Sequence, residues 1–195
     1  MAVTCAKCGR QYDVTLFGFG RTINCACGAR VGLEHRLNLS EDAEIRFFAD
    51  VNVARLVRWL RAAGFDTVWE DAIPDPVLVR RAIDERRFVL TLDKRILRDF
   101  LVDHVVVLEN EEPRAQFAEV VRRFDLKKPP EYFTRCLACN TLLRKADAPE
   151  IATGVPEAVR KIHDEFSFCP NCRKVFWEGS HARRMRTALE NVFDG

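Results

Sequence analysis

Eight cysteines in four close pairs constrain this chain more than any other feature of its 195 residues. Cys5-x-x-Cys8 and Cys25-x-Cys27 lie near the start, and Cys136-x-x-Cys139 and Cys169-x-x-Cys172 near the end. A pair this close forms a knuckle that turns two thiolates towards one point. Two knuckles then offer four sulfurs at tetrahedral geometry, the set that suits zinc best. The single residue between Cys25 and Cys27 is tighter than usual, so the trailing cluster is the stronger signal. The other use of paired thiols is redox chemistry, and no thioredoxin-like pattern surrounds these. Four thiolates leave no open coordination position, so the expected zinc is structural and any chemistry lies elsewhere. Tyr12–Val14 and Arg21–Asn24 read as short strands joined by the turn Gly18-Phe19-Gly20. The insert of the trailing cluster reads as a helix starting at Pro156 and running through Ala158, Val159 and Ile162 towards Phe166.

The setting favours metal over disulfides. No apolar run approaches the roughly 18 residues of a membrane span, and Met1-Ala2-Val3-Thr4-Cys5 is unlike a secretory signal. A cytoplasmic, reducing location is therefore expected. A net charge of +2 excludes a uniformly basic coat for nucleic acid, but arginines crowd a few short segments. Their forked heads suit phosphate.

From Glu44 the pattern changes to alternating strands and helices. Ile45–Ala49 reads as a buried strand. Val53, Leu56, Val57 and Leu60 then form the apolar stripe of a helix that Gly64 stops. Phe65–Trp69, Phe88–Leu92 and His104–Leu108 read as three further strands. Helices are expected from Asp75-Pro76 to Ile83, from Lys94 to Phe100 and from Pro113 to Phe124. Four strand–helix alternations with short connections predict an α/β fold with a parallel sheet and helices on both faces. Lys127-Lys128-Pro129-Pro130 reads as a linker, which gives a ribbon over 1–40, a core over 44–127 and a second ribbon over 131–190.

In such a sheet, ligands bind beyond the carboxyl ends of the strands. Asp50, Asp75 and Asp93 fall there, with Glu70 and Asp71 beside them and Asp66 at the opposite edge. Each has a local use as well: Asp75 before Pro76, Asp93, and Asp50 or Asn52 all fit helix caps. Capping does not explain their gathering, whereas magnesium or manganese ligation does. Arg55, Arg58 and Arg61 are expected on the outer face of the first helix. Arg80, Arg81, Arg86 and Arg87 read as a solvated face.

The run Phe48-Ala49-Asp50-Val51-Asn52-Val53-Ala54-Arg55-Leu56-Val57-Arg58-Trp59-Leu60-Arg61-Ala62-Ala63-Gly64-Phe65-Asp66 resembles the PIN-like Mut-seven C-terminal RNase domain family. So do Leu90-Thr91-Leu92-Asp93-Lys94-Arg95-Ile96-Leu97, the trailing knuckles, and Trp177-Glu178-Gly179-Ser180-His181. The resemblance runs from about Glu44 to Arg186 and omits the leading ribbon. Asn52-Val53 and Leu92 depart from the family's usual residues, and neither removes a carboxylate. The resemblance implies a PIN-like nuclease that cleaves RNA with one or two Mg²⁺ or Mn²⁺ ions on Asp50, Asp75 and Asp93, with Asp71 a further candidate. Lys94, Arg95, Arg55 and Arg58 are then candidates for phosphate, and His181 for donating to substrate or for a structural role. A homodimer stays open. The competing readings are a binding module with a degenerate core, in which Phe17, Phe19, Phe168 and Trp177 stack on bases, and a phosphatase- or receiver-like protein. Asp50-Val51-Asn52 in place of Asp-x-Asp argues against the last.

Overall fold

The computed structural model describes residues 1–40 and 42–195. Strands β1 (Ala2–Thr4), β2 (Gln11–Asp13), β3 (Thr22–Asn24) and β4 (Arg30–Gly32) come first, then β5 (Phe47–Ala49). Helix α1 (Leu56–Ala62), β6 (Thr67–Trp69), α2 (Asp75–Asp84), β7 (Phe88–Thr91), α3 (Ile96–Asp99), β8 (Val105–Val107) and α4 (Pro113–Arg123) follow in the expected alternation. The remainder is β9 (Arg144–Lys145), α5 (Ala148–Gly154), α6 (Glu157–Arg160), β10 (Ser167–Cys169), β11 (Lys174–Phe176) and α7 (Ser180–Phe193).

A four-stranded parallel sheet of order β6-β5-β7-β8, flanked by helices, confirms the α/β expectation. Phe47 lies opposite Phe88 and Ala49 opposite Leu90, while Thr91 lies opposite Val107. Every residue of β5 is buried, as a strand covered on both faces requires. The helix expected from Val53 is broken at its start. Asp50 caps a 3₁₀ turn over Val51–Val53, and α1 begins only at Leu56. The chain divides into two compact units, Met1–Ala54 with Trp69–Glu109, and Arg55–Val68 with Asn110–Gly195.

In the first unit, β1–β2 and β3–β4 are antiparallel hairpins around a small core of Cys5, Phe17, Cys25 and Val31. The connection expected to be a simple turn is a kinked 3₁₀ segment, Val14–Gly20, opened by the Asp13 side chain accepting from the Thr15 amide. This ribbon is joined to the segment that follows α3. The Leu101 amide donates to Gly20 O at 2.6 Å, and the His35 amide donates to Leu101 O at 2.9 Å. Thr22 Oγ1 donates to Arg98 O at 2.8 Å, and Arg30 Nη2 to Phe100 O at 3.1 Å. Gly20 takes a φ of +75°, and a Cβ there would stand 2.6 Å from Leu101 O.

Two expectations about arginines fail in this unit. Arg87 is buried and donates to Glu85 and to Phe47 O, and Arg81 joins Glu70 and Glu85 with its head over the Phe48 ring. Buried cations are held by paired acceptors, and Glu70 and Glu85 supply them here. Glu70 is thereby assigned to packing.

His104, just before β8, is fully buried beside His35, their ring centroids 6.4 Å apart. Neither ring nitrogen makes a hydrogen bond of normal geometry, although Asp103 Oδ1 stands 3.6 Å from Nδ1. Burial holds the imidazole pKa below its usual value, with Asp103 opposing the shift and His35 reinforcing it. The folded state therefore binds the proton less readily than the unfolded chain. Stability from this group is present above the unfolded pKa of about 6.5 and declines as pH falls below it, by at most about 1.4 kcal/mol per pH unit. Urea melts between pH 7.5 and 5 are expected to show this decline, and His104→Gln to flatten it. An unchanged slope in the variant sinks the assignment.

In the second unit, α1 packs on α4, with Trp59 and Phe117 6.2 Å apart. Phe193 of α7 meets Phe117 edge-on at 5.8 Å. The sequence reading did not foresee α7, which carries Met185, Leu189 and Val192 at helical spacing. It also misplaced the helical insert. Helix α5 starts at a capping box between Asp147 and Glu150, and α6 spans only Glu157–Arg160. Val159 packs on the ribbon core of Ala146, Val155 and Phe166, while Ile162 is 74% exposed, so the apolar pattern supports no longer helix.

Arg61, expected on the outer face of α1, is buried in this unit. It donates to Thr67 O at 2.9 Å, Leu137 O at 3.0 Å and Ala138 O at 2.7 Å. Arg135 donates to Gly64 O at 2.9 Å, and Asn140 Nδ2 to Asp66 at 2.8 Å. The Leu-Arg-x-x-Gly-x-Asp stretch thus fastens the knuckle Cys136–Cys139. Asp66 is placed there, in keeping with its assignment away from the carboxyl edge.

Candidate functional site: two thiolate clusters and an acidic edge

The four knuckles share one local device. The amides of Gly9, Gly28, Asn140 and Arg173 donate to the carbonyls of Cys5, Cys25, Cys136 and Cys169 at 2.8–2.9 Å. All four residues have positive φ. In the Cys25-x-Cys27 knuckle this turn closes one residue earlier, which is how the tighter spacing still aims both sulfurs inward. Cys5–Cys27 and Cys8–Cys25 sulfurs lie 3.7 and 3.5 Å apart, and Cys136–Cys172 and Cys139–Cys169 sulfurs 3.9 and 3.4 Å apart. Zinc–sulfur bonds of about 2.3 Å in a tetrahedron place sulfurs about 3.8 Å apart, whereas a disulfide would need about 2.05 Å. The ligand atoms of each tetrad lie within 4.8 Å of one another, so both clusters fit zinc ribbons. Without a cation the thiols oppose one another's ionisation: the Cys139 sulfur, then burial, push Cys172 up to about 12. A divalent ion removes that conflict.

The acidic edge lies wholly in the first unit. Asp50, 5% exposed, leaves the end of β5. Its Oδ1 accepts from the Val51 amide at 2.6 Å, and its Oδ2 accepts from Asn52 Nδ2 at 2.7 Å and Thr91 Oγ1 at 2.6 Å. Thr91, at the end of β7, in turn accepts from the Asp93 amide at 3.0 Å. Asn52 Oδ1 accepts from the Leu92 amide at 2.9 Å, so one side chain ties together the ends of two adjacent strands. Asn52 and Thr91 were not expected as site residues. Their signal was in the sequence: each is a polar residue two positions from an acid, at the carboxyl ends of strands in register.

Asp93 accepts the Arg95 amide at 2.8 Å and takes the Arg95 guanidinium on both oxygens at 2.8–3.1 Å. The side-chain bond and then the amide hold its carboxyl below the usual range. Asp75 is not a cap as its position before Pro76 implied. Pro74 is the N-cap and Asp75 the first residue of α2. The Asp75 carboxylate makes no hydrogen bond among the described residues. Burial raises its pKa, with further increments from Asp50 and then Asp93, against which Arg95 acts. Asp99, at the end of α3, adds to this field and was missed because it follows the strand end by a full helix.

The three expected carboxylates therefore share one electrostatic environment, although among the described residues only the thiolate tetrads bring three or more ligand atoms within 4.8 Å. Lys94 and Arg95 lie exposed immediately after Asp93, and Asp71 is exposed before α2. Arg55 and Arg58 are exposed on or just before α1, in the second unit. His181, also there, is the second residue of α7 and not a residue trailing a strand. Its Nδ1 is 3.0 Å from Arg184 Nη2.

The architecture is a parallel α/β sheet with carboxylates at its carboxyl edge, accompanied by two thiolate ribbons. The chain belongs to the Mut7-C RNAse domain family, whose model matches residues 45–189. That span contains the acidic edge and the trailing tetrad and leaves the leading ribbon outside. No curated protein and no solved structure matches the chain. Among the described residues, no helix is long and apolar enough to cross a membrane.

Proposed function

We propose that the chain is a divalent-metal-dependent ribonuclease in which Asp50, Asp75 and Asp93 hold Mg²⁺ or Mn²⁺ and RNA phosphodiesters are hydrolysed. One observation carries this reading: Asp50 after β5, Asp93 after β7 and Asp75 at the start of α2 gather at the carboxyl edge of one sheet, where the half-buried Asp75 carboxylate has no hydrogen-bond partner among the described residues and is opposed by Asp50 and Asp93. Oxygen donors in mutual repulsion suit a hard divalent cation. Such an ion, when bound, polarises the scissile phosphate and lowers the pKa of a bound water. The chain's own residues prepare the site. Thr91 and Asn52 fix the Asp50 carboxylate, and Lys94 stands exposed to meet phosphate. In this reading 44–127 is the nuclease core and 1–40 and 131–190 are ribbons in a cytoplasmic protein.

A second reading, a non-catalytic binding module, is favoured by Arg95, whose fork already occupies both oxygens of Asp93. The two readings separate in one assay. Zinc-loaded protein is incubated with labelled single-stranded and structured RNA in Mn²⁺, Mg²⁺ or no added divalent ion, beside Asp50→Asn and Asp93→Asn. Cleavage that requires the added ion and falls at least about 100-fold in both folded variants is expected, the scale of losing a preorganised charge-stabilising group. RNA that is bound yet stays intact with every ion, or variants that cleave like the parent, would hand the lead to the binding module.

A further inference from the structure

The leading ribbon lies outside the family match, yet it is built into the same unit as the acidic edge. Its attachment is at α3, the helix that starts three residues after Asp93. Arg21 pairs antiparallel with Phe100, its neighbour Thr22 donates to the carbonyls of Arg98 and Asp99, and Gly20 accepts from Leu101. A ribbon held by a run of backbone hydrogen bonds has a fixed position relative to α3. Four residues of helix span only about 6 Å, so Arg21 is anchored close to the residues that follow Asp93.

Positive charge predominates on the ribbon, and Asp99 of α3 is the exposed acid beside its attachment. Residues 1–32 carry Lys7, Arg10, Arg21 and Arg30 against Asp13 alone. Arg21 and Arg98 are exposed, and their side chains make no hydrogen bond or ion pair among the described residues. Lys94 lies exposed at the other end of α3. Phe19, two residues before Arg21, is 39% exposed, with the Arg80 head 4.9 Å from its ring centroid. Unpaired cations on the ribbon and on α3, with an exposed aromatic ring two residues from one of them, are the ingredients of a single-strand nucleic-acid track.

We infer that the leading ribbon is a fixed extension of the RNA path, with Arg21 of the ribbon and Arg98 of α3 contacting successive backbone phosphates of a single strand that leads to the acidic edge. This rests on the acidic edge being the RNA site. The ribbon thus acts as part of the substrate surface and not as a tethered module.

The test is binding of the full zinc-loaded chain to fluorescein-labelled single-stranded oligouridylate, without added divalent ion, across a salt series. Each phosphate contact on a single strand contributes about 0.7 to the slope of log affinity against log salt. Arg21→Ala and Arg98→Ala are each expected to lower that slope by about 0.7 and the double variant by about 1.4. Arg21→Lys should keep it, and Lys127→Ala, whose ammonium already pairs with Asp125 at 2.6 Å, should leave it unchanged. Zinc content measured on each variant verifies the fold. Slopes that match the parent in both arginine variants, or an equal fall in Lys127→Ala, overturn the inference and leave the ribbon to a protein partner. Because no cleavage is read, reduced slopes alongside intact RNA in every ion would retire the nuclease reading and keep the binding track.

Discussion

Titration with a zinc chelator is expected to release two zinc ions per chain and to erase amide protection across residues 136–177. Beyond the Cys136–Cys139 knuckle, which Arg61, Arg135 and Asn140 fasten to α1 and the stretch after it, the segment has little else to hold it. Its strands are two or three residues long, and its buried apolar side chains are Ala146, Val155 and Phe166. Burying a large aliphatic or aromatic side chain stabilises by about 1.5–3 kcal/mol, while ordering backbone costs about 1–2 kcal/mol per residue. Structural zinc in such knuckles contributes about 10–16 kcal/mol at neutral pH, on the scale of the whole stability of an ordinary domain, and dominates here. Cys136→Ser and Cys169→Ser should reproduce the loss without chelator. The leading ribbon should lose protection less completely, since hydrogen bonds to the segment after α3 also hold it. Hydrogen exchange followed by mass spectrometry reads both ribbons at once. A zinc-free chain with undiminished protection over 136–177 would refute the account.

Arg61→Met is the second large effect. The substitution keeps an unbranched apolar stem and removes the guanidinium, leaving the carbonyls of Thr67, Leu137 and Ala138 short of a donor. Each buried acceptor left unpaired costs about 1–3 kcal/mol, so a total loss of about 3 kcal/mol or more is expected. For a chain of this length that corresponds to a melting temperature about 6–12 °C lower. Burial lowers the Arg61 pKa, against which Cys139, Cys136 and Asp66 act. A zinc ion with four thiolates carries a net negative charge, and Arg61 is the buried cation facing it. Zinc affinity at the trailing site should therefore fall in Arg61→Met while the leading site keeps its own. Arg61→Lys is expected to rescue little, because one ammonium cannot reproduce a fork aimed at three carbonyls. Equal melting temperatures for the parent and Arg61→Met would contradict this role.

Much of this structure was legible in the residues because the signals were local. Cysteine spacing located both tetrads, and alternating apolar runs bounded by Gly64, Pro76 and Pro113 located the sheet and its helices. The misreadings arose where a distant partner decided the outcome. Arg61 falls on what periodicity marks as an outer face of α1, and only the knuckle more than seventy residues later makes that face an interior one. Arg87 likewise became internal through Glu85, and Arg81 was drawn onto Glu70, Glu85 and the Phe48 ring. The α5 start was a different failure, since Asp147-x-x-Glu150 is a readable capping box that the more conspicuous Pro156 overshadowed. At the acidic edge, sequence located the three carboxylates on the correct side of the sheet but could not show Arg95 folding back onto Asp93. It also passed over Thr91 and Asn52, whose importance depends on strand register.

The leading ribbon meets Leu101 at two of its glycines. Besides Gly20, Gly32 faces this residue, and a Cβ on Gly32 would lie 2.6 Å from Leu101 Cδ1 and 2.8 Å from Thr22 Cγ2. Neither glycine belongs to a metal knuckle, so zinc binding by itself places no demand on them. At Gly20 the φ of +75° asks for glycine in any arrangement, and at Gly32 the Thr22 methyl of the same hairpin adds to the contact, but the approach of Leu101 to both is made only by a seated ribbon. The two glycines packed against Leu101 thus record how closely the leading ribbon is seated, as the cysteines record the metal.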